Sequence, residues 1–148
     1  MAYEIICVVT NTAKTRFAQM LETGKSFVVG EFSVGSGGHD PLNPHVALTP
    51  DPSAVACVSV VFPAAGPPYE SIDAIAFITD YCPEFSCIVN PGEATGYVSN
   101  ICLWAEIVYN GTDPIDEIGT RFLFAIGNMP LKIKTASDTF TFRIAVQL

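Results

Sequence analysis

The sequence predicts a mainly β, sandwich-like fold with one short N-terminal α-helix. Three observations carry that expectation. β-branched and aromatic runs recur at intervals of roughly 10–15 residues, divided by Gly, Pro and Asn turns, which gives about eight to nine strands. A helical apolar period occurs in one stretch only, Ala13–Thr23. The final run, Thr139–Gln147, alternates without a break: Phe140, Phe142, Ile144 and Val146 face one way, Thr139, Thr141, Arg143 and Gln147 the other.

Taken in order, Tyr3–Thr10 is β-branched and apolar and reads as a strand. Asn11-Thr12 supplies N-cap oxygens for the helix, whose apolar face carries Phe17, Met20 and Leu21, and Gly24 stands where a left-handed C-cap belongs. Ser26–Val34 is the next strand, and Gly35–Pro44, rich in Gly and Pro, reads as a loop. Ala54–Phe62 reads as a strand stopped by the Pro63–Pro68 segment, Ser71–Thr79 as another, and Tyr81–Val89 holds the Cys82-x4-Cys87 spacing. After the Asn90-Pro91-Gly92 turn comes the long strand Gly96–Tyr109, then an acidic turn. Thr120–Ile126 and the short Leu131–Lys134 are read as two strands, separated by a bend at Gly127-Asn128-Met129-Pro130.

The 148 residues amount to one domain, 1–148, with no internal repeat and no linker. Half the chain is hydrophobic (49%) and 15% is charged, so the apolar surplus must enter a thick core or contacts with other chains. The net charge is −8, and no Lys or Arg occurs between Ser26 and Thr120, a stretch holding twelve acids. Such a body repels phosphate, which argues against nucleic acid as a partner. The N-terminus lacks the basic and long apolar regions of a signal peptide, and no segment approaches the ~20 apolar residues of a membrane span. The five cysteines read as free buried thiols.

Candidate chemistry is sparse. The Gly35-Ser36-Gly37-Gly38 loop is followed by His-Asp-Pro rather than by a helix bearing Lys, so it is not a phosphate cradle. His39, Asp40 and His45 lack a recognised metal spacing, and Cys82 and Cys87 lack the second ligand pair of a zinc site. A disulfide between those two cysteines would need close Cα atoms and an oxidising location. No motif selects a nucleophile among the cysteines and histidines. Catalytic residues, metal ligands and cofactors are therefore expected to be none.

Several segments share their form and order with a known family. Val9-Thr10-Asn11 precedes the helix; Phe32-Ser33-Val34-Gly35-Ser36-Gly37-Gly38 forms a glycine turn; Ser99–Glu106 and Phe122–Lys134 follow, and Thr139–Gln147 closes the chain. In this order the chain resembles the N-terminal domain of bacteriophage tail-collar fibre proteins and related baseplate-attached tail-fibre proteins. It departs from that pattern in placing Glu117-Ile118-Gly119 after an inserted acidic hairpin, in the added region Tyr81–Gly96, and in ending at Leu148 without a shaft or receptor-binding tip. The resemblance implies a small baseplate or tail-fibre adaptor of the virion, made in the host cytoplasm. It implies docking to other tail proteins and to itself as a homo-oligomer, a trimer being the first guess. The docking elements would be Gly35, Gly37, Gly38, His39 and Asp40 of the glycine loop, together with Trp104, Phe122, Phe124, Asn128, Pro130, Lys132, Ile133 and Lys134. The basic side of the last segment would face an acidic neighbour. A carbohydrate- or ligand-binding sandwich using Trp104, Tyr97, Tyr109 and the acids is the alternative, and a cysteine-dependent hydrolase a third.

Overall fold

The computed structural model describes residues 5–57, 59–63 and 69–148. The start of the first expected strand, position 58 and most of the Pro63–Pro68 segment lie outside the described residues. The elements follow as β1 (Ile6–Val9), α1 (Asn11–Thr23), β2 (Ser26–Gly35), β3 (His39–Asp40), β4 (Asn43–Ala47), β5 (Val60–Phe62), β6 (Glu70–Ser71), β7 (Ala74–Thr79), β8 (Cys82–Val89), β9 (Gly96–Tyr109), β10 (Arg121–Lys134) and β11 (Phe140–Ala145). The protein is mainly β, with one short helix. One sheet runs β1-β10-β9-β2-β5, with β6 also on β2; a second runs β11-β8-β7; β3 and β4 form a small hairpin. All the pairings are antiparallel.

The core lies between the two larger sheets. From the first come Phe32, Val34, Ile101, Leu103, Ala105 and Ile107; from the second come Phe85, Cys87, Val89, Phe140, Phe142 and Ile144. The alternation predicted for the last strand is thus the one that packs, with Phe140, Phe142, Ile144 and Val146 all buried. The helix covers part of the same face. Ala13 is fully buried, and Phe17 meets Phe27 edge to face at 5.1 Å, as Phe27 meets Phe122. On the opposite face of the first sheet, Cys102, Trp104, Leu123 and Ile126 form a smaller cluster with Cys57 and Tyr69. The central strands β9 and β10 are therefore apolar on both faces, which is why their sequences run nearly continuous rather than alternating.

Two irregularities in β10 explain its odd sequence. Leu123 pairs with Trp104 and Ala125 with Leu103, so Phe124 is an extra residue that turns into the main core beside Ala125. Further on, Asn128 pairs with Asn100 but Lys132 with Val98: β10 advances four residues while β9 advances two. The expected break at Gly127–Pro130 is thus a bulge inside one 14-residue strand. Pro130 sits in the surplus, where its missing N–H takes no ladder bond away. Two further expectations are corrected. The glycine loop is partly ordered as the β3–β4 hairpin, and among the described residues of Ala54–Phe62 only Val60–Phe62 is strand.

The helix is capped by Thr10, one residue earlier than expected. Its Oγ1 accepts from the Ala13 N–H at 3.1 Å and donates to the Leu123 carbonyl at 2.6 Å, so one hydroxyl ends the helix and fixes it to β10. Gly24 closes the other end with φ +77°. Leu21, placed on the apolar face by its spacing, points to solvent.

Lys25 follows at once, only 2% exposed, and its Nζ donates to Asp113 Oδ2 at 2.9 Å and to the Ile115 carbonyl at 3.2 Å. Glu117 lies 3.5 Å from the same Nζ and also pairs with Arg16. The acidic turn 110–119 is thereby bound to the end of the helix. The Asp113 carboxyl is held below its ordinary range, first by the Ile115 N–H and next by Lys25. A carboxyl depressed by folding stabilises fully above its unfolded value of about 3.9 and loses that contribution as pH falls through the folded value. Asp113→Asn should therefore lower the melting temperature at pH 7 and flatten its fall below about pH 4, checked by melting both proteins across an acid series.

Candidate assembly surface

The loop and the bulge singled out by sequence are far apart in the chain, and the fold brings them together. Gly38 lies flat against β9: its N–H donates to Ser99 Oγ at 2.9 Å, and His39 Nδ1 lies 2.8 Å from the same oxygen. Beside them Asn100 Nδ2 donates to the Gly127 carbonyl at 3.0 Å and to Asn128 Oδ1 at 2.7 Å. Asn128 Nδ2 in turn donates to the Leu48 carbonyl at 3.0 Å, and Cys57 donates its thiol proton to Asn100 Oδ1 at 2.8 Å. Ser99, Asn100 and Asn128 are all buried. This polar chain locks the glycine loop, the segment 48–57 and the β10 bulge into one unit. Ser99 and Asn100 went unremarked as candidates because an isolated Ser-Asn pair in an apolar strand carries no spacing signal.

The network holds a surface in place. The β3–β4 hairpin stands beside the bulge, and Ile6, His45, Val46, Ala47 and Pro130 line a hollow of about 270 Å³ between them. Ile6, Val46 and Leu48 are exposed around it, and Leu42 projects from the hairpin. Asp40 Oδ1 accepts the Leu42 N–H at 2.9 Å, which shapes the hairpin tip.

The other predicted docking residues divide by depth. Phe122 and Phe124 are core residues, and Gly35 and Gly38 are buried. Gly37, Asp40 and Lys132 are half-buried. Ile133 is exposed and pairs with exposed Tyr97. Lys134 is 1% exposed, donates to the Asn90 carbonyl at 2.9 Å and lies 5.9 Å from the centre of the Phe140 ring. It fastens the turn after β8 and offers no charge to a neighbour. Trp104 is buried, stacked on Tyr69 at 4.6 Å, with its Nε1 donating to Ser33 Oγ at 2.8 Å.

These positions bear on the alternatives as well. Trp104 is 8% exposed with Tyr69 stacked on it, and the cavity it lines, about 140 Å³, is below the ~300 Å³ at which small-molecule sites begin. Tyr97 and Tyr109 sit at opposite ends of β9, roughly 40 Å apart along the strand. Cys57, Cys82, Cys87 and Cys102 are buried, and burial pushes the Cys7 thiol up to about 12 and raises Cys87 and Cys102 too, the opposite of what activates a nucleophile. Cys82 and Cys87 are free and five residues apart on one extended strand, roughly 16 Å, so they do not pair. Among the described residues no three His, Cys, Asp or Glu side chains converge on a metal position, and no helix is long and apolar enough to cross a membrane.

Comparison with protein-family models, with curated proteins and with solved structures gave no match. The resemblance to tail-fibre proteins therefore rests on the order of its motifs alone.

Proposed function

We propose that the chain is a structural protein of a phage tail, a small baseplate or tail-fibre adaptor that works by holding other tail proteins and copies of itself, in the first instance as a trimer. The observation that carries this reading is that β4, which follows the glycine loop, and Pro130 of the β10 bulge line one exposed hollow with Ile6, beside a buried polar network that ties loop and bulge together. Rigid apolar surface of that kind serves docking, since solvent-exposed apolar clusters gain by being covered. The acidic, Lys-free middle of the chain suits partners with basic surfaces.

Two substitutions separate docking from folding. Val46→Asp alters an exposed hairpin side chain beside the hollow, and the protein should fold normally yet fail to enter particles. Phe124→Asp puts a charge into the core and should prevent folding. The check is mass spectrometry of purified particles from the phage that encodes the chain, complemented with each variant. Particles that lack the wild-type chain, or that take up Val46→Asp in full, would count against the proposal.

A further inference from the structure

The far edge of the second sheet is open. β7, Ala74–Thr79, is exposed along its whole length, and among the described residues no strand pairs with its outer side. Its six residues include no charge, no Pro and no Gly, the devices that usually blunt an edge strand. Its one irregularity falls between Phe77 and Thr79, leaving Ala74–Phe77 in regular register with β8. Ile75 stands beside Phe85, a core residue, and Phe77 beside Pro83, so the apolar inner face of the sheet runs out to this edge and stops uncovered.

Charge sets the terms for what could complete it. Asp73 and Asp80 flank the strand, and Glu84 is paired with Ala76 one strand in. The one cation in this sheet, Arg143, is two strands away on β11, opposite Ser86. A second copy is a poor fit. Asp73 turns its carboxylate back onto β8, accepting the Ile88 N–H at 2.6 Å, and in a centred twofold pairing Asp80 of each copy would still come beside Asp73 of the other, acid beside acid at both ends with no cation to answer them.

We infer that the β7 edge binds an extended, basic segment of another protein by strand addition. Main-chain hydrogen bonds would supply the pairing, apolar side chains at alternate positions would cover Ile75 and Phe77, and Lys or Arg would answer Asp80 and Glu84. This rests on reading the chain as an assembly module, and does not depend on its belonging to a tail.

The test uses the full chain and two labelled peptides of about ten residues, a length that spans such an edge. Both alternate Val and Thr; one carries Lys at its ends, the other Glu. Fluorescence anisotropy should show saturable binding of the Lys-ended peptide and weaker binding of the Glu-ended one. Phe77 is 69% exposed, so Phe77→Lys should leave the melting curve unchanged and weaken binding about tenfold. Asp80→Lys should shift the preference toward the Glu-ended peptide. Equal binding of both peptides, no binding of either, or full binding by Phe77→Lys would overturn the inference. So would a wild-type dimer in light scattering that Phe77→Lys abolishes, which would assign the edge to a second copy. Because the peptides report on the edge alone, a negative result here leaves the outcome with Val46→Asp in particles unaffected.

Discussion

Gly38→Ala is expected to cost about 3 kcal/mol or more, the upper range for forcing atoms into a packed site. A Cβ on Gly38 would fall 2.0 Å from the Ser99 carbonyl oxygen and 2.6 Å from Asn128 Oδ1. The first contact is with the backbone of the central strand β9, which is held on both sides by β2 and β10 and cannot retreat. Relief would have to come from lifting the loop, which breaks the Gly38–Ser99 and Ser99–His39 bonds and exposes the polar network to water. Urea unfolding should show a large drop in midpoint at unchanged slope. Gly30→Ala is the control. Nothing lies within 4 Å of its added Cβ, and its cost should stay within about 1 kcal/mol.

Asn100→Leu should rank next, at about 3 kcal/mol, because the new side chain fills space but satisfies nothing. It removes the donor to the Gly127 carbonyl and to Asn128 Oδ1, and the acceptor of the Cys57 thiol. Each buried partner left without a bond costs about 1–3 kcal/mol. Asn128 keeps its bond to Leu48, so the loss is partial. The loop 48–57 should loosen before the sheet does. Thiol labelling of Cys57 should be faster in the variant than in the parent, while Cys87, fully buried, labels alike in both; an unchanged Cys57 rate would mean that the segment is held by packing alone.

Much of the fold could be read from local pattern. The single helix, the turn glycines and the inward face of β11 follow from periodicities of 3.6 and 2, which depend only on neighbours in the chain. What could not be read depends on register. Gly127-Asn128-Met129-Pro130 has the composition of a turn, yet it lies within a strand because β9 runs alongside and absorbs two surplus residues as a bulge. Lys134 looks like surface because Lys usually is, and is buried because the Asn90 carbonyl and the Phe140 ring meet it across the fold. The depth of the docking candidates was hidden for a related reason. Aromatic residues in a motif can mark either a core or an interface, and Phe122, Phe124 and Trp104 fill the interior, whereas the exposed apolar β7 carried no motif at all.

The order of strands in the first sheet has a consequence for how the chain comes to be folded. Among the described residues β1 pairs only with β10, matching Ile6 to Asn128 across 122 steps of chain. Synthesis proceeds at about 5–20 residues per second, so β1 waits on the order of ten seconds for its partner to leave the ribosome. During that time β2, β5, β6 and β9 can already pair with one another, while β1 waits. Closing the sheet is thus a late and long-range event, of the kind that slows folding. It also gives whatever binds the exposed β7 an opportunity to engage the nascent chain before its two ends have met.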